Sequence, residues 1–524
     1  MTDGEAPAEP IVAEARHGRR RRLDTGGRRV KARQLPWSRW TNGLKPIEAL
    51  SADEIEAIHQ AALEVLETVG VAIMLPEARA ILKAAGCKVD EELGRVWFDR
   101  HLVEAMMAKV PSRIGLHARN PAHDLVLGGD QVCVATCVGP PNVVDLDRGR
   151  RNGNWADYCE LLKLAQALNV VHLNAGYAPE PIDVDINIRH LETTRAQLTL
   201  TDKVAWTFTF APRRMHDVFE MVRIARGVTA EELIAKPGFH SLINTNSPLQ
   251  IDQPMLHGII EMAKLGQPLC ITPFAMSGAS MPVTLAGTLV VMNAEILAGT
   301  TLAQLVRPGA PIVYGAVGVN VDLRSGAPVY GSPEFVKMQF AGGQLARRYG
   351  MPLRASPMNS SPTTDAQAAY ETAIPLWGIL QSGVNLMLHG LGWVEGGLAV
   401  SYEKYILDAE MLQVMREVTQ PMTVDAATLA VQAIRDVGPG GHFFAHQHTL
   451  DRYETAFYLP LLSDWRSWAQ WKEDGAKDAL QRANRLWKDL LAEYVPPPLD
   501  PAIAEELDAF VARRTEEGGA PLLY

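Results

Sequence analysis

From Val132 onward, short apolar runs alternate with longer segments in which apolar positions recur every three or four residues. The short runs cover 132–136, 170–174, 204–210, 241–244, 269–272, 312–316, 353–355 and 385–389. Helical patterns fill the intervals at 155–168, 188–200, 213–226, 253–265, 283–305, 334–349 and 365–381, and another at 402–418 follows the last run. Eight strand-like runs, each followed by a helix, predict an α/β fold, the (β/α)8 TIM barrel, in which right-handed crossovers make every strand parallel and close the sheet.

The chain has a different rhythm at its two ends. Ser51 is a candidate N-cap with Glu54 as its capping-box partner, and Ile55, Ile58, Ala62, Val65 and Leu66 share one face of the helix that follows. Two more helical patterns, 76–85 and 100–109, precede a β-like segment at 113–127 that ends in the turn Gly128-Gly129-Asp130. These define an N-terminal helical module at 46–130, ahead of a barrel at 131–420. Residues 1–45 carry basic runs, HGRRRR and GGRRVKAR, without any apolar period, and are expected to form a flexible arm. Such an arm suits contact with an anionic partner or with an acidic face of its own or a neighbouring subunit. Residues 421–524 form a C-terminal helical extension whose tryptophans, at helical spacing, predict a docking face onto the barrel or a second subunit.

Composition narrows the class. The 524 residues are 47% hydrophobic and 21% charged, the signature of a globular chain, and a net charge of −10 argues against nucleic-acid binding. Five cysteines, odd in number and set among apolar neighbours, read as reduced thiols. With no signal peptide and no run of spanning character, the expected place is the cytoplasm, away from any membrane.

In a barrel, chemistry gathers just beyond the C-terminal end of each strand. The residues there include Tyr177, Phe210, Asn244, Thr272, Phe274, Ser277, Tyr314, Asn359, His389, Trp393 and Glu395. Amides, hydroxyls and aromatic rings dominate, with few carboxylates and one histidine. No HExxH, Walker loop or GxSxG elbow occurs. His442, His446 and His448 could supply imidazoles to zinc but lack a carboxylate at suitable spacing. Ring faces and neutral dipoles suit a permanent cation such as a quaternary ammonium, which has no N–H to donate. Each ring taken singly is better explained as a cap on the barrel core, whereas two or more of them lining one pocket favour the ligand.

Four stretches carry a resemblance: SMPVTLAGTLVVMNAEILAG at 280–299, RPGAPIVYG at 307–315, TTDAQAAYE at 363–371 and HGLGWVEGGLAVSYEKYILDAEML at 389–412, with GHFFAHQHTLDRY at 441–453 behind them. In this order they resemble the trimethylamine methyltransferase family, and in particular its branch without pyrrolysine, the glycine betaine:corrinoid methyltransferases. The resemblance implies a barrel that presents a methylated amine to the cob(I) cobalt of a corrinoid, or cobalamin, carried by a separate small protein, with no metal held by the barrel itself. It implies His389 as the catalytic or cobalt-facing residue; from the strand-end positions, Phe210, Asn244, Phe274, Tyr314, Asn359, Trp393 and Glu395 are expected around the substrate, and Ser277, Ser360, Gly390 and Gly392 toward the corrinoid. Where trimethylamine enzymes of the family carry pyrrolysine, this chain has PMNSSPTT at 357–364. That departure favours a quaternary amine with a carboxylate, glycine betaine or a longer betaine, and Arg354 is available for the carboxylate. A homo-oligomer is expected. The alternatives are a binding protein for quaternary amines or corrinoids without turnover, and a demethylase for trimethylamine or another methylated amine. A Schiff-base lyase or aldolase is a further one, although Lys203 precedes its strand and Lys337 lies within a helix.

Overall fold

Parallel ladders run all the way round the barrel. The computed structural model describes residues 32–521. Seven strands, Gln131–Val134, Ala205–Trp206, Phe239–Thr245, Leu269–Pro273, Ile312–Gly315, Leu353–Ala355 and Leu386–Met387, belong to one sheet. The last pairs with the first in parallel, Leu386 beside Cys133 and Met387 beside Val134. The remaining gap is closed by Leu173, which bridges Ala135 on one side and Val204 on the other, both in parallel. All eight predicted runs are therefore barrel strands, in sequence order.

The second strand is reduced to a bridge for a visible reason. His172 points its ring at the first strand, and its Nδ1 accepts the Val134 N–H at 3.0 Å, so an imidazole occupies a place in the ladder that a carbonyl would otherwise take. The backbone N–H groups of His172 and Leu173 both donate to the Val134 carbonyl.

The eight outer helices, Trp155–Ala167, Arg189–Leu200, Pro212–Arg226, Gln253–Lys264, Leu285–Val306, Pro333–Arg348, Ala366–Ser382 and Tyr402–Val418, start and stop within about two residues of the periodic patterns. Asn154, Asp252, Ser332, Asp365 and Ser401 each accept an N–H from the first turn of the helix they precede, which satisfies groups that no intrahelical carbonyl can reach. Leu285–Val306 is long and apolar enough to cross a membrane by length and composition alone. Its surroundings explain that composition: it lies between barrel strands on one side and the helices Ala52–Thr68 and Arg100–Met107 on the other, and most of it is buried.

The N-terminal module supplies those helices and also a floor. The β-like segment folds as a hairpin, Ile114–Leu116 against Leu125–Leu127. Its Ile114, Leu116, Leu125 and Leu127 join one core with the inward-facing Cys133, Leu173, Val204, Cys270, Val313 and Leu386 of the barrel. At the C-terminal end, Ala479–Ala492 packs on Tyr402–Val418, and Pro501–Glu516 packs on Arg189–Leu200 and Pro212–Arg226. Trp487 docks as anticipated, its indole donating to Glu403, whereas Trp465 and Trp468 stay largely exposed.

The described part of the expected flexible arm is packed chain. Its basic run at 17–22 lies outside the described residues, but 33–45 is packed chain: Gln34 donates to the Ala167 carbonyl, and Trp40, fully buried, pairs antiparallel with Val132 and donates its indole N–H to Thr419. Apolar side chains at Leu35, Trp37 and Trp40 supply the reason, since they give this stretch something to bury.

Two buried histidines make a pH prediction. Burial pushes His172 down to about 3 and His240 down to about 4, from an ordinary value of 6.5. Below pH 6.5 the unfolded chain therefore takes up protons that the native state refuses, so stability falls as the pH drops from 6.5 toward 4. The urea midpoint, read by tryptophan fluorescence, is expected to be lower at about pH 5 than at about pH 7, with a shallower decline in His240→Gln.

Candidate functional site

Above the hairpin floor, the C-terminal ends of the strands enclose a cavity of about 240 Å³. Six rings line it, Trp206, Phe208, Phe210, Phe274, Tyr330 and Trp393, together with Leu242, Met255, Met358, Asn244, Thr272, His389 and Arg354. No carboxylate is among its lining residues. Phe208 and Phe210 stack with centroids 5.0 Å apart, and Trp206 meets Phe208 edge-on at 4.2 Å. Tyr330 is edge-on to Trp393 at 5.8 Å.

Arg354 is the charged member of this set. It sits at the centre of the strand Leu353–Ala355, whose flanking residues face outward, so its own side chain points inward. Only 3% of it is exposed, its buried Nε has no hydrogen-bond partner, and the ionisable groups closest in effect are Cys270 and Tyr330 rather than any carboxylate. Burial brings its guanidinium down to about 10, which leaves it a cation at neutral pH. A buried charge is ordinarily paired, because taking one out of water costs several kcal/mol.

His389 follows the last strand in a left-handed conformation, φ 59°, and its N–H donates to Thr136 across the barrel seam. Its Nδ1 accepts the Val138 N–H at 3.3 Å, with the Cys137 thiol at 3.8 Å. Burial first, and then the Arg354 charge, hold the imidazole well below its usual range. The ring is thus neutral at physiological pH, and with Nδ1 accepting, its proton belongs on Nε2. Trp393 packs edge-on against it at 4.4 Å.

A buried network fixes the loops that carry these groups. Asn359 donates to the Trp393 carbonyl at 2.6 Å and to Thr372 at 3.1 Å, while the Trp393 indole donates back to the Asn359 carbonyl at 3.1 Å. Lys404 donates to Thr372 at 2.9 Å and pairs with Asp408, whose other oxygen accepts the Gly392 N–H at 2.8 Å. The loops after the seventh and eighth strands are therefore tied to each other and to two outer helices.

Seven anticipated residues, Phe210, Asn244, Thr272, Phe274, Arg354, His389 and Trp393, line one cavity. The others lie elsewhere. Tyr314 directly follows the inward-facing Val313, and the two-residue period of a strand turns it outward: its hydroxyl donates to Asn293 at 3.0 Å and its ring stacks on Tyr349. Asn359 acts in the loop clamp just described. Glu395 is drawn off by an ion pair with Arg150 at 2.9 Å. Ser277 shares a hydrogen bond with Thr288, and Ser360 ties off the Tyr330 backbone. Gly390 is pressed against Val134, where a Cβ would come within 2.8 Å, and Gly392, at φ 81°, offers its N–H to Asp408. All four residues anticipated for the corrinoid side thus have partners within the fold.

Lining residues that the strand-end rule missed include Trp206, Phe208 and Tyr330. The first two were signalled by their spacing with Phe210, at alternate positions of a single strand. Tyr330 returns to the mouth from the far end of a long loop, and no local pattern announces it. Lys203 faces away from the cavity: it donates to the Ala165 and Leu168 carbonyls at a helix end, and burial brings it down to about 7. Among the described residues no three metal-capable side chains converge; His446 accepts the His448 N–H and lies 3.4 Å from Asp436.

Known proteins resemble this chain along most of its length. The family model described as trimethylamine methyltransferase (MTTB) matches residues 15–519. A glycine betaine methyltransferase of Desulfitobacterium hafniense is 37% identical over 471 residues, covering 90% of this chain and 98% of that protein. A trimethylamine methyltransferase of Methanosarcina mazei is 31% identical over 488 residues, 90% and 95% of the two chains. The solved monomethylamine methyltransferase of Methanosarcina barkeri aligns over 85% of this chain and 93% of its own at 10% identity, with a TM-score of 0.43. By the extent of the family match and the identity to these relatives, the chain belongs to the trimethylamine methyltransferase (MTTB) family.

Proposed function

We propose that this member of the family removes a methyl group from a quaternary amine that also bears a carboxylate, a betaine, and passes it to a corrinoid carried by a separate small protein. The observation that carries the reading is Arg354, a buried guanidinium without a counter-ion in a cavity walled by aromatic rings. A betaine answers both features at once. Its carboxylate would pair with the guanidinium, and its trimethylammonium would sit against ring faces. Trimethylamine has no group for Arg354 and would leave the charge unpaired. The similarity to a protein named for glycine betaine supports the same choice.

The chain's own contribution would be binding, orientation and exclusion of water. A quaternary nitrogen leaves as a neutral amine when one methyl is taken, so no acid has to protonate it. A neutral His389 accordingly acts as a hydrogen-bond donor through Nε2, not as a base. The rings keep water from the cation and from the attacking centre, and the loop network holds Trp393 against His389. A cob(I) corrinoid, when its carrier is bound, would supply the nucleophile. The five cysteines, all free, accord with a cytoplasmic setting.

Three tests separate this reading from others, all using cob(I)alamin as acceptor and methylcobalamin absorbance as readout. Arg354→Met is expected to raise KM for glycine betaine about 10- to 100-fold, the worth of a charge-assisted contact of roughly 1.5–3 kcal/mol. Its unfolding midpoint without substrate should not drop, because the substitution removes an unpaired buried charge; an unchanged KM would rule out the carboxylate role. Because His389 is held well below 6.5 and Arg354 titrates near 10, kcat/KM is expected to be flat between about pH 6.5 and 8.5, without the limb that an ordinary histidine would produce. Asn359→Ala breaks the clamp on Trp393 and should lose about 1–3 kcal/mol in urea titrations. The same variant is expected to lower kcat/KM at least tenfold, and a wild-type rate would show that the clamp does not position the site.

A further inference from the structure

A carboxylate has more acceptor positions than one guanidinium can fill. Its two oxygens present about four lone-pair sites, of which the fork of an arginine takes two. In a cavity lined by no other cation the remaining sites call for a further donor, because a polar group left unpaired away from water costs free energy. Most donors along the wall are spoken for or misplaced. The Trp393 indole donates to Asn359, the Thr272 hydroxyl lies 3.1 Å from the Cys270 thiol, Asn244 is exposed at the rim, and the Trp206 indole nitrogen is buried away from the open volume. Besides His389, that leaves the hydroxyl of Tyr330.

Tyr330 is 3% exposed, yet among the described residues nothing pairs with its hydroxyl. A buried tyrosine ordinarily gives that group a partner. The ring stands edge-on to Phe335 and to Trp393, each at 5.8 Å, so the phenol is held between two walls. Its backbone is fixed as firmly: the Tyr330 N–H donates to Ser360 Oγ at 2.7 Å, the Ser360 hydroxyl donates to the Tyr330 carbonyl at 3.3 Å, and the Ser360 N–H donates to Glu371 at 2.9 Å. Gly331 then turns the chain at φ 80°, where a Cβ would come within 2.7 Å of the Glu371 Cβ. Burial pushes the phenol up to about 12 against the Arg354 charge, so the hydroxyl keeps a proton to donate.

We infer that Tyr330 is a specificity-determining residue, whose hydroxyl donates a further hydrogen bond to the carboxylate that Arg354 pairs with. The inference rests on the betaine reading of the cavity and adds a reason for selectivity. A guanidinium alone attracts any anion, whereas a guanidinium and a phenol held on separate walls fix where the carboxylate lies. A site built to hydrogen-bond a substrate group rejects the analogue lacking it, because its own polar groups are then left bare. The loop after the seventh strand thereby gains a second duty: through Ser360 it aims the phenol, as through Asn359 it holds Trp393.

With full-length protein and cob(I)alamin as acceptor, Tyr330→Phe is expected to raise KM for glycine betaine about tenfold while kcat changes far less, the loss of one hydrogen bond to a charged group. Its urea midpoint should match that of the wild type, since the ring stays and the hydroxyl has no partner to lose. Ser360→Ala should raise KM as well, and Ser360→Ala/Tyr330→Phe no further than Tyr330→Phe alone, because Ser360 acts through the hydroxyl that it aims. An unchanged KM in Tyr330→Phe beside a raised one in Arg354→Met overturns the inference and leaves the betaine reading standing. A Tyr330→Phe variant that loses kcat and urea midpoint together at an unchanged KM overturns it too, and marks the tyrosine as structural. An unchanged KM in Arg354→Met, whatever Tyr330→Phe does, overturns the betaine reading and the inference with it.

Discussion

Along each barrel strand, successive side chains face alternately the closed interior and the surrounding helices, and this two-residue alternation decides nearly everything about the site. It turns Arg354 into the cavity and sends its neighbours Leu353 and Ala355 out. It turns Trp206 into the cavity, with Phe208 and Phe210 on the same wall just past the end of the strand, and it hands Tyr314 to Asn293 and Tyr349 outside. A slip of one residue in the register of the seventh strand would exchange the guanidinium for an alkyl group. The parallel ladders to the neighbouring strands, which hold that register, are thus as much part of the chemistry as the rings are.

The cavity is built at a cost. Arg354 is kept charged where water is scarce, and His389 is kept neutral partly by that same charge. Burial by apolar and aromatic neighbours favours the neutral imidazole and works against the guanidinium charge, which stays because an arginine keeps its proton at neutral pH even when brought down to about 10. In the proposed reaction a cation already in place would need no reorganisation to receive a carboxylate, so affinity would be gained without flexibility. The loop clamp adds rigidity: with Asn359 and Trp393 bonded to each other in both directions, the Trp393 wall cannot swing away independently of the loop after the seventh strand.

Much of this was legible in the chain. Eight runs and eight helices read from apolar periodicity are the barrel, because long segments buried on a known face leave a strong periodic mark. The second strand was found as a run although it survives only as a bridge, since its apolar residues are still needed inside even where His172 has taken over a hydrogen bond. The cavity lining was legible where it lies on strands or directly after them, as with Phe210, Asn244 and His389. It was not legible where a loop decides. Glu395 is captured by Arg150 from a distant hairpin, Ser360 by the Tyr330 backbone, and Gly390 and Gly392 by packing and by Asp408; each of these partners lies far away in sequence. Tyr314 belongs to a third kind, since its strand was identified and its parity was not.

The hairpin Ile114–Leu116 and Leu125–Leu127 fills the lower end of the barrel with its own apolar side chains. A plugged barrel has one doorway. Anything that enters or leaves must use the mouth, and in the proposed reaction the methyl donor and the carrier of the acceptor would share it. That shared doorway imposes a queue. The amine has to be seated before the carrier covers the opening, and the demethylated amine has to wait until the carrier moves off. The compulsory order would come from a floor contributed by a module that never touches the substrate.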